Sequence, residues 1–441
     1  MQPALKKALI ITYYWPPAGG GGVQRWLKFS KYMRSNGWEP VIFTPDKPEI
    51  VAHDESLAKQ IPEGIEVMRT PIWEPFHIYK FLIGKKQHEK VYSGVLVENK
   101  KKSFMQTFSL WVRGNLFIPD AKKFWIAPSI TYLKKYLATH NIDAIVSTGP
   151  PHSTHMIALG IKKHMPQLPW IADFRDPWTN VDYWSQLNLS AWAERKHHRL
   201  QAEVLRNADK VVTVSWSWAQ DFVNLNVRKD IEVVTNGYDH ADFESGDVVL
   251  DGKFTITHVG SMNADRNPHV LWKALQNILK QNSELEKHIQ IQLLGPLDNS
   301  VNESISSHGL DKFVTKVHFM PHREVIQRLC QSQVLLLPIN NTPNVGGVLP
   351  GKLYEYLGAK RPIICITTTG TDSERLMRES GAADICGYDD VPRMEQIVLS
   401  LFEKYKNKQL NSEPKGVEKF ARQNLCKQFF NLFDSITIKA K

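Results

Sequence analysis

The run Thr342-Pro343-Asn344-Val345-Gly346-Gly347-Val348-Leu349-Pro350-Gly351-Lys352-Leu353-Tyr354-Glu355 sets a glycine-rich loop ahead of a helix start. Lys352 falls in the first helical turn. Glu355 comes three residues later, so the two share one helix face. A helix N-terminus exposes unpaired N–H groups and partial positive charge, and with a lysine beside them these suit a diphosphate. A carboxylate one turn further on suits a ribose diol, which offers two O–H donors. The same pair could be a surface ion pair of little energetic weight. The surrounding glycines and the position after the apolar run VLLLPI favour binding.

Three further constellations follow apolar runs. ALIITYY (Ala8–Tyr14) leads into Trp15-Pro16-Pro17-Ala18 and four glycines, Gly19 to Gly22, after which helical spacing begins at Val23, Trp26 and Leu27. Such a turn lets backbone N–H groups approach a phosphate or sugar at a helix start, so Gly20, Gly21 and Gly22 are candidate binding positions. The register is neither G-x-G-x-x-G nor a Walker A loop. AIVST is followed by Gly149-Pro150-Pro151-His152-Ser153. His152 is either a strand-end histidine open to ligand or an ordinary histidine of a helical first turn, and His155 is read as packing. WIADF ends in Asp173-Phe174-Arg175-Asp176-Pro177-Trp178. Its two acids and arginine would either meet sugar hydroxyls or form an ion-pair network. In the second half, FTITHVG ends at Gly260, and Arg266 follows in a loop where a cation could neutralise a diphosphate. There is no H-E-x-x-H, EF-hand loop, Walker A loop or D-x-D, so the expected site uses cationic side chains and helix dipoles, with no metal and no cofactor.

The elements that must hold these residues are short β-branched runs alternating with helical stretches. Runs that are apolar throughout suit strands covered on both faces, and the alternation implies parallel βαβ units. Two such sets are expected: a first domain over 1–245 and a second over 252–416. The acidic stretch Asp242–Lys253 is the expected linker, and the final helix, 417–441, is expected to pack back on the first domain. Residues 76–125 break the rhythm. They carry ten lysines and arginines against three acids, a net of +7, with aromatics interleaved. That pattern fits a segment docked on an anionic membrane surface, or an amphipathic insertion with its rings in the core.

The 441 residues carry a net charge of +10, which favours anionic partners such as nucleotides, nucleic acid or lipid-linked phosphates. The four cysteines form neither a disulfide framework nor a zinc motif, and a reducing cytosol fits. The first apolar run reads as a strand rather than a signal peptide, and no run is long enough to span a bilayer.

Taken in order, ITYYWPPAGGGGVQR, PPHS, DFRDPW, VVTVS, NGYD, HVGS, LLGP and GKLYEYLGAKRPI resemble the retaining GT-B glycosyltransferases of family 4, especially bacterial members that build surface polysaccharides. The resemblance covers most of the chain outside the basic–aromatic insertion. It implies an α/β protein of two Rossmann-like, doubly wound parallel-sheet domains facing a cleft. The second domain would hold a nucleotide-sugar donor and the first a glycan or lipid-linked acceptor. It also implies that Glu355 meets the nucleotide ribose, that His152 touches the donor sugar, and that Gly260 and Gly295 lie against the donor. The family's first signature glutamate is replaced by Gly347, so backbone amides at Val348 and Leu349 are expected to serve instead. The family's basic pair is altered here, its first member falling on Ser261 and its second near Arg266 or Asn267, so Arg266, with Lys352 compensating, is expected to take its place. A cytoplasmic protein, docked at the inner face of the plasma membrane, is the expected setting.

Two other classes stay open on the sequence. One is a basic membrane- or nucleic-acid-binding protein, although no RNA- or DNA-binding signature appears and no nucleic acid is expected. The other is a dinucleotide-dependent oxidoreductase built on Gly19–Gly22, with Asp46 as its ribose acid.

Overall fold

Strands apolar along their whole length need cover on both faces. The computed structural model, which describes residues 4–50, 53–74, 104–181, 184–244, 248–318 and 320–437, places them in two parallel sheets with helices on either side. The chain divides into two units, described separately below.

The first unit runs to Thr235 and resumes at Gln423. Its strands are β1 (Lys6–Ile11), β2 (Trp38–Asp46), β3 (Glu66–Pro71), β4 (Ala144–Gly149), β5 (Trp170–Phe174), β6 (Lys210–Thr213) and β7 (Ile231–Val233), in the order β3-β2-β1-β4-β5-β6-β7. Around them lie α1 (Gly21–Met33), α2 (Glu55–Ala58), α3 (Phe104–Leu116), α4 (Ile126–Leu137), α5 (Ser153–His164), α6 (Ala191–Asn207) and α7 (Trp216–Asn224). β1 pairs with both β2 and β4, the strand-order reversal beside which doubly wound sheets bind ligands.

The second unit, Asn236–Arg422 among the described residues, has the order β10-β9-β8-β11-β12-β13. Its strands are β8 (Phe254–Val259), β9 (Ile289–Leu294), β10 (Val314–Val317), β11 (Val334–Pro338), β12 (Ile363–Ile366) and β13 (Ala383–Cys386). Its helices are α8 (His269–Leu279), α9 (Ser283–His288), α10 (Asn299–Ser307), α11 (His322–Gln331), α12 (Gly351–Ala359), α13 (Asp372–Ser380) and α14 (Val391–Lys406).

The last helix, α15 (Arg422–Thr437), belongs to the first unit from Gln423 on. Its Phe429 ring meets Trp26 edge-on at 5.2 Å, and Phe433 lies 4.9 Å from Trp38. Burying each such ring contributes about 1.5–3 kcal/mol, so three adjacent phenylalanines hold the helix firmly. Phe420, just before this helix, packs on Tyr354 in the second unit.

The structure moves several boundaries. The described end of the stretch Asp242–Lys253 is bonded within the second unit. Tyr238 N–H donates to Phe420 O, Gln333 Nε2 to Asp251 O and Asp251 N–H to Gln331 O, so the second unit takes up the chain from Asn236. β10 is the short, largely polar run Val314–Val317, and Pro321 beyond it caps α11. β13, an edge strand carrying Asp384, was not visible as an apolar run. Of the basic–aromatic segment, residues 76–103 lie outside the described residues. Trp125 at its end is core: it stacks on Phe43 at 5.4 Å, and its Nε1 donates to Thr70.

One polar cluster lies deep in the first unit. Asp173, at the end of β5, is fully buried. Its Oδ1 accepts from Arg25 Nη2 at 3.0 Å. Its Oδ2 accepts from Arg25 Nε at 3.1 Å, Trp26 Nε1 at 2.9 Å and Thr148 Oγ1 at 2.9 Å. Arg25 also donates to the carbonyls of Val234 and Thr235. Arg25→Met would strand a buried carboxylate and is expected to cost roughly 3–5 kcal/mol in urea unfolding. The double change Arg25→Met/Asp173→Leu should recover much of that loss. A double variant no more stable than the single one would show that the pair is not the source of the cost.

Candidate functional site

In the second unit the site grows from three strand ends and one helix start. β8 and β9 finish side by side in glycines. Gly260 N–H donates to Leu294 O at 2.7 Å and Gly295 N–H to Val317 O at 2.7 Å. Gly295 has φ +141°, and a Cβ there would sit 2.5 Å from Gly260 O, so only glycine fits. Gly260 has φ +93°, and a Cβ there would lie 3.1 Å from Lys352 Nζ. The two glycines therefore make room for the lysine.

α12 begins after Pro350 with no side-chain cap and no acid in its first turn, so its first N–H groups have no side-chain acceptor. Lys352 stands in that turn, its Nζ 3.2 Å from His258 Nε2. Burial, then the charge of Arg266, pushes its ammonium well below the usual lysine range, with Glu355 opposing. Arg266 closes the 3-10 turn Ala264–Arg266, and its guanidinium bonds Asn340 Oδ1. Glu355 lies one turn along, its Oε1 3.1 Å from His322 Nε2. Burial also drives His258 well below the usual histidine range, Lys352 adding to the effect. Two cations, an uncapped helix start and a carboxylate with a histidine beside it thus converge. The arrangement can neutralise a polyanion and hydrogen-bond hydroxyls next to it.

In the first unit, Gly20 (φ +90°) is the N-cap of α1, and Gly21 and Gly22 are its first residues, again with no side-chain cap. A side chain on Gly20 or Gly21 would meet nothing within 4 Å, so this helix start is open. Gly22 is enclosed: a Cβ would come 2.9 Å from the Tyr14 ring. Arg175 Nη1 donates to Gly22 O at 2.9 Å and its Nη2 to Pro150 O, which joins the glycine-rich loop to the proline loop. Burial lowers the proton affinity of Arg175, while Asp176 and Asp173 oppose. Asp176 itself is exposed. His152 stacks flat on Trp178 at 4.5 Å and 2°, its Nδ1 buried without a partner. Burial and then His155 push it well below the usual range, so it stands neutral and can serve as a hydrogen-bond group rather than a cation.

Two expectations need correcting. Asp173 does not face a sugar, because both its oxygens are occupied inside the core by Arg25, Trp26 and Thr148. Val348 does not offer its amide, which already donates to Val345 O at 3.0 Å. Leu349 is buried beside it. The ion-pair reading of Lys352 and Glu355 also gives way: Lys352 meets His258 and Glu355 meets His322, not each other. Neither histidine was assigned a role on the sequence. His258 lay inside the quoted HVGS and His322 opened a helix after a proline, but no spacing rule linked either to Lys352 or Glu355.

Comparison with known proteins bears on this geometry. The family model described as Glycosyltransferase Family 4 matches residues 98–242, and that described as Glycosyl transferases group 1 matches 253–403. The chain is a glycosyltransferase with a GT-B fold. Solved structures agree on the fold. A sucrose-phosphate synthase from Thermosynechococcus elongatus superposes with TM-score 0.60 at 13% identity, covering 98% of this chain and 100% of that one. A glycosyltransferase from Rickettsia africae gives 0.61 at 12%, covering 98% of each. Anabaena HepE in complex with UDP gives 0.56 at 12%, covering 99% and 98%. No curated protein matches the chain. The matches leave no support for an oxidoreductase built on Gly19–Gly22.

The buried histidines of the first unit set a pH limit for this glycosyltransferase. Burial lowers His155 to about 3, and lowers His197 to about 4. Both stay neutral when folded, whereas the unfolded chain takes up their protons below about 6.5. Their contribution is intact above that value and is lost as pH falls toward 3 for His155 and toward 4 for His197. Each should subtract about 1.4 kcal/mol per pH unit in that window. Urea midpoints measured from pH 7 to 5 should fall, and His155→Asn should flatten the slope by about one proton.

Proposed function

We propose that this glycosyltransferase moves a sugar, with retention, from a nucleoside-diphosphate sugar to a glycan or lipid-linked acceptor in the synthesis of a cell-surface polysaccharide. The observation that carries the reading is the pair of cations, Lys352 and Arg266, at the uncapped start of α12, with Glu355 one turn on. The HepE structure with UDP, of the same fold, supports a nucleotide donor.

In this reading Lys352, Arg266 and the α12 N-terminus take up the negative charge that grows on the diphosphate as the glycosidic bond breaks. Glu355 accepts from the ribose diol, and His322 holds its carboxylate in place. His152, neutral against Trp178, offers its unpartnered nitrogen to a sugar hydroxyl. Retention is the course the family resemblance implies: the leaving phosphate oxygen takes the proton of the acceptor hydroxyl on the same face, with no enzymic nucleophile. Charge neutralisation comes from the protein's own cations, so no metal or cofactor is called for.

The acceptor side is proposed to meet a membrane. Around Trp73 and Trp192, each 56% exposed, the first unit presents Phe124, Leu116 and Trp111. Lys123 lies 4.9 Å over Phe124, and Lys196 4.7 Å over Trp192. Exposed rings with lysines between them suit the head-group region of an anionic bilayer. No helix among the described residues is long and apolar enough to cross a membrane. The protein is accordingly proposed to work in the cytoplasm, docked at the inner face.

Two measurements test these readings. Glu355→Ala and Arg266→Ala should each reduce nucleoside-diphosphate release from a matched donor by about tenfold or more, at roughly 1.4 kcal/mol per decade. Near-normal turnover in both would remove the site assignment. Sedimentation with phosphatidylglycerol vesicles should retain the wild type and lose much of it after Trp73→Ala/Trp192→Ala, whereas phosphatidylcholine vesicles should retain little of either. Equal retention on both lipids would remove the anionic-membrane reading.

A further inference from the structure

The ammonium of Lys352 has a single partner among the described residues, Nε2 of His258 at 3.2 Å. His258 sits near the end of β8 and is fully buried. Its other ring nitrogen, Nδ1, lies 3.0 Å from the carbonyl oxygen of Leu336 on β11. A carbonyl can only accept, and of the two backbone groups that act on the ring, Leu336 and more weakly Ser261, the stronger places the ring proton on Nδ1. A neutral imidazole has one such proton, so Nε2 presents a lone pair. The bond therefore runs from the lysine ammonium to the imidazole.

We propose that His258 is a positioning residue for the donor site: its Nε2 lone pair holds the Lys352 ammonium beside Gly260, leaving two of its three N–H donors for the diphosphate. The proposal rests on the reading of Lys352 as a diphosphate-binding cation. The neutral state of the ring follows from its burial and from the neighbouring ammonium.

The surroundings fit a fixed bracket for a flexible side chain. Leu336 O, which anchors the ring, also accepts from Tyr356 Oη at 3.4 Å, and Tyr356 Oη accepts the Val259 N–H at 2.9 Å. β8, β11 and α12 are thus tied around the histidine. Gly260 leaves the space that the ammonium fills. The charged groups acting on Lys352 are Arg266 and Glu355. Repulsion from Arg266 would drive an unrestrained lysine elsewhere, and a neutral acceptor holds it without cancelling its charge. An aspartate in the place of His258 would hold it too, but would spend the cation on an internal ion pair.

The substitutions that separate this role from simple packing follow from the two ring nitrogens. His258→Asn keeps a donor near Nδ1 for Leu336 O but is too short to reach Lys352. His258→Gln carries an amide oxygen out toward the Nε2 position. Calorimetric titration of the full chain with inorganic pyrophosphate, and separately with UDP, should show His258→Asn and Lys352→Met weakened by about tenfold or more, and His258→Gln within about threefold of wild type. Wild-type affinity in His258→Asn with loss in Lys352→Met would overturn the role of His258 and leave that of Lys352 standing. Wild-type affinity in Lys352→Met, or no binding by the wild type, would remove the Lys352 reading and this one with it. Equal weakening in the Asn and Gln variants would show that the ring acts by packing, and would also overturn it. A measurement on the unaltered protein stands beside these should His258→Asn fail to fold. Nitrogen-15 NMR should find the His258 proton on Nδ1, and a proton on Nε2 would sink the inference.

Discussion

The buried contact between Arg25 and Asp173 is the constraint on which the first unit is arranged. A carboxylate with no exposure to water is costly unless nearly every lone pair is used, and here four hydrogen bonds reach it from α1 and the end of β4. Those donors sit immediately behind the loops that matter. Arg25 and Trp26 follow the glycines Gly20–Gly22, Thr148 precedes the proline loop, and Asp173 precedes Arg175. Arg25 also fixes the carbonyls of Val234 and Thr235, where the first unit ends. Replacing such a pair by apolar residues is often no worse for stability. Its value here lies in register: one carboxylate sets three loops relative to one another, and Arg175 then joins two of them through Gly22 O and Pro150 O.

The second unit handles charge in the opposite way. Around Lys352 its buried polar groups are neutral: His258, Tyr356 and the carbonyl of Leu336. Its cations stand at the edge of that cluster with no carboxylate bonded to Lys352 among the described residues. The contrast assigns the parts. Asp173 is satisfied and has nothing left to offer a ligand, whereas the Lys352 ammonium is held by a neutral group and keeps its charge for one. Two glycines with positive φ, Gly260 and Gly295, are what permit that placement, since any side chain at either position would occupy the lysine's space or strike the adjacent backbone.

These distinctions mark the limit of what the sequence discloses. The strands of both sheets were legible because runs such as AIVST and VLLLPI are apolar along their whole length, the mark of strands covered on both faces. β13 was not, since it is an edge strand that includes Asp384. β10 was not legible either, because VTKV reads as polar and alternates without an apolar run. The end of the first unit was placed too late because an acidic, glycine-bearing stretch resembles a linker whether or not its backbone is bonded. At the site, spacing put Lys352 and Glu355 on one helix face, and burial and partners were needed to separate them from a surface pair. The same spacing logic could not tell that Asp173 was internal, because a carboxylate at a strand end looks alike whether it meets a sugar or an arginine of the core. His258 and His322 were invisible as partners because the residues they hold are 94 and 33 positions away.

The electrostatics of the donor site argue for selectivity by charge number. Burial, and after it the charge of Arg266, weakens the hold of Lys352 on its proton, so the two cations act on each other unfavourably. The fold bears that repulsion as long as no anion is present. Under the proposed function a bound diphosphate would relieve it at both cations together, whereas a monoanion would leave one uncompensated. Binding a diphosphate should then strengthen the hold of Lys352 on the proton it already carries. The sugar is another matter. With Gly347 where a family glutamate would stand and the Val348 amide already spent on Val345, the loop before α12 contributes little charge and few free donors to the sugar. Under the proposed function, the diphosphate end of the donor is where this unit would discriminate most strongly.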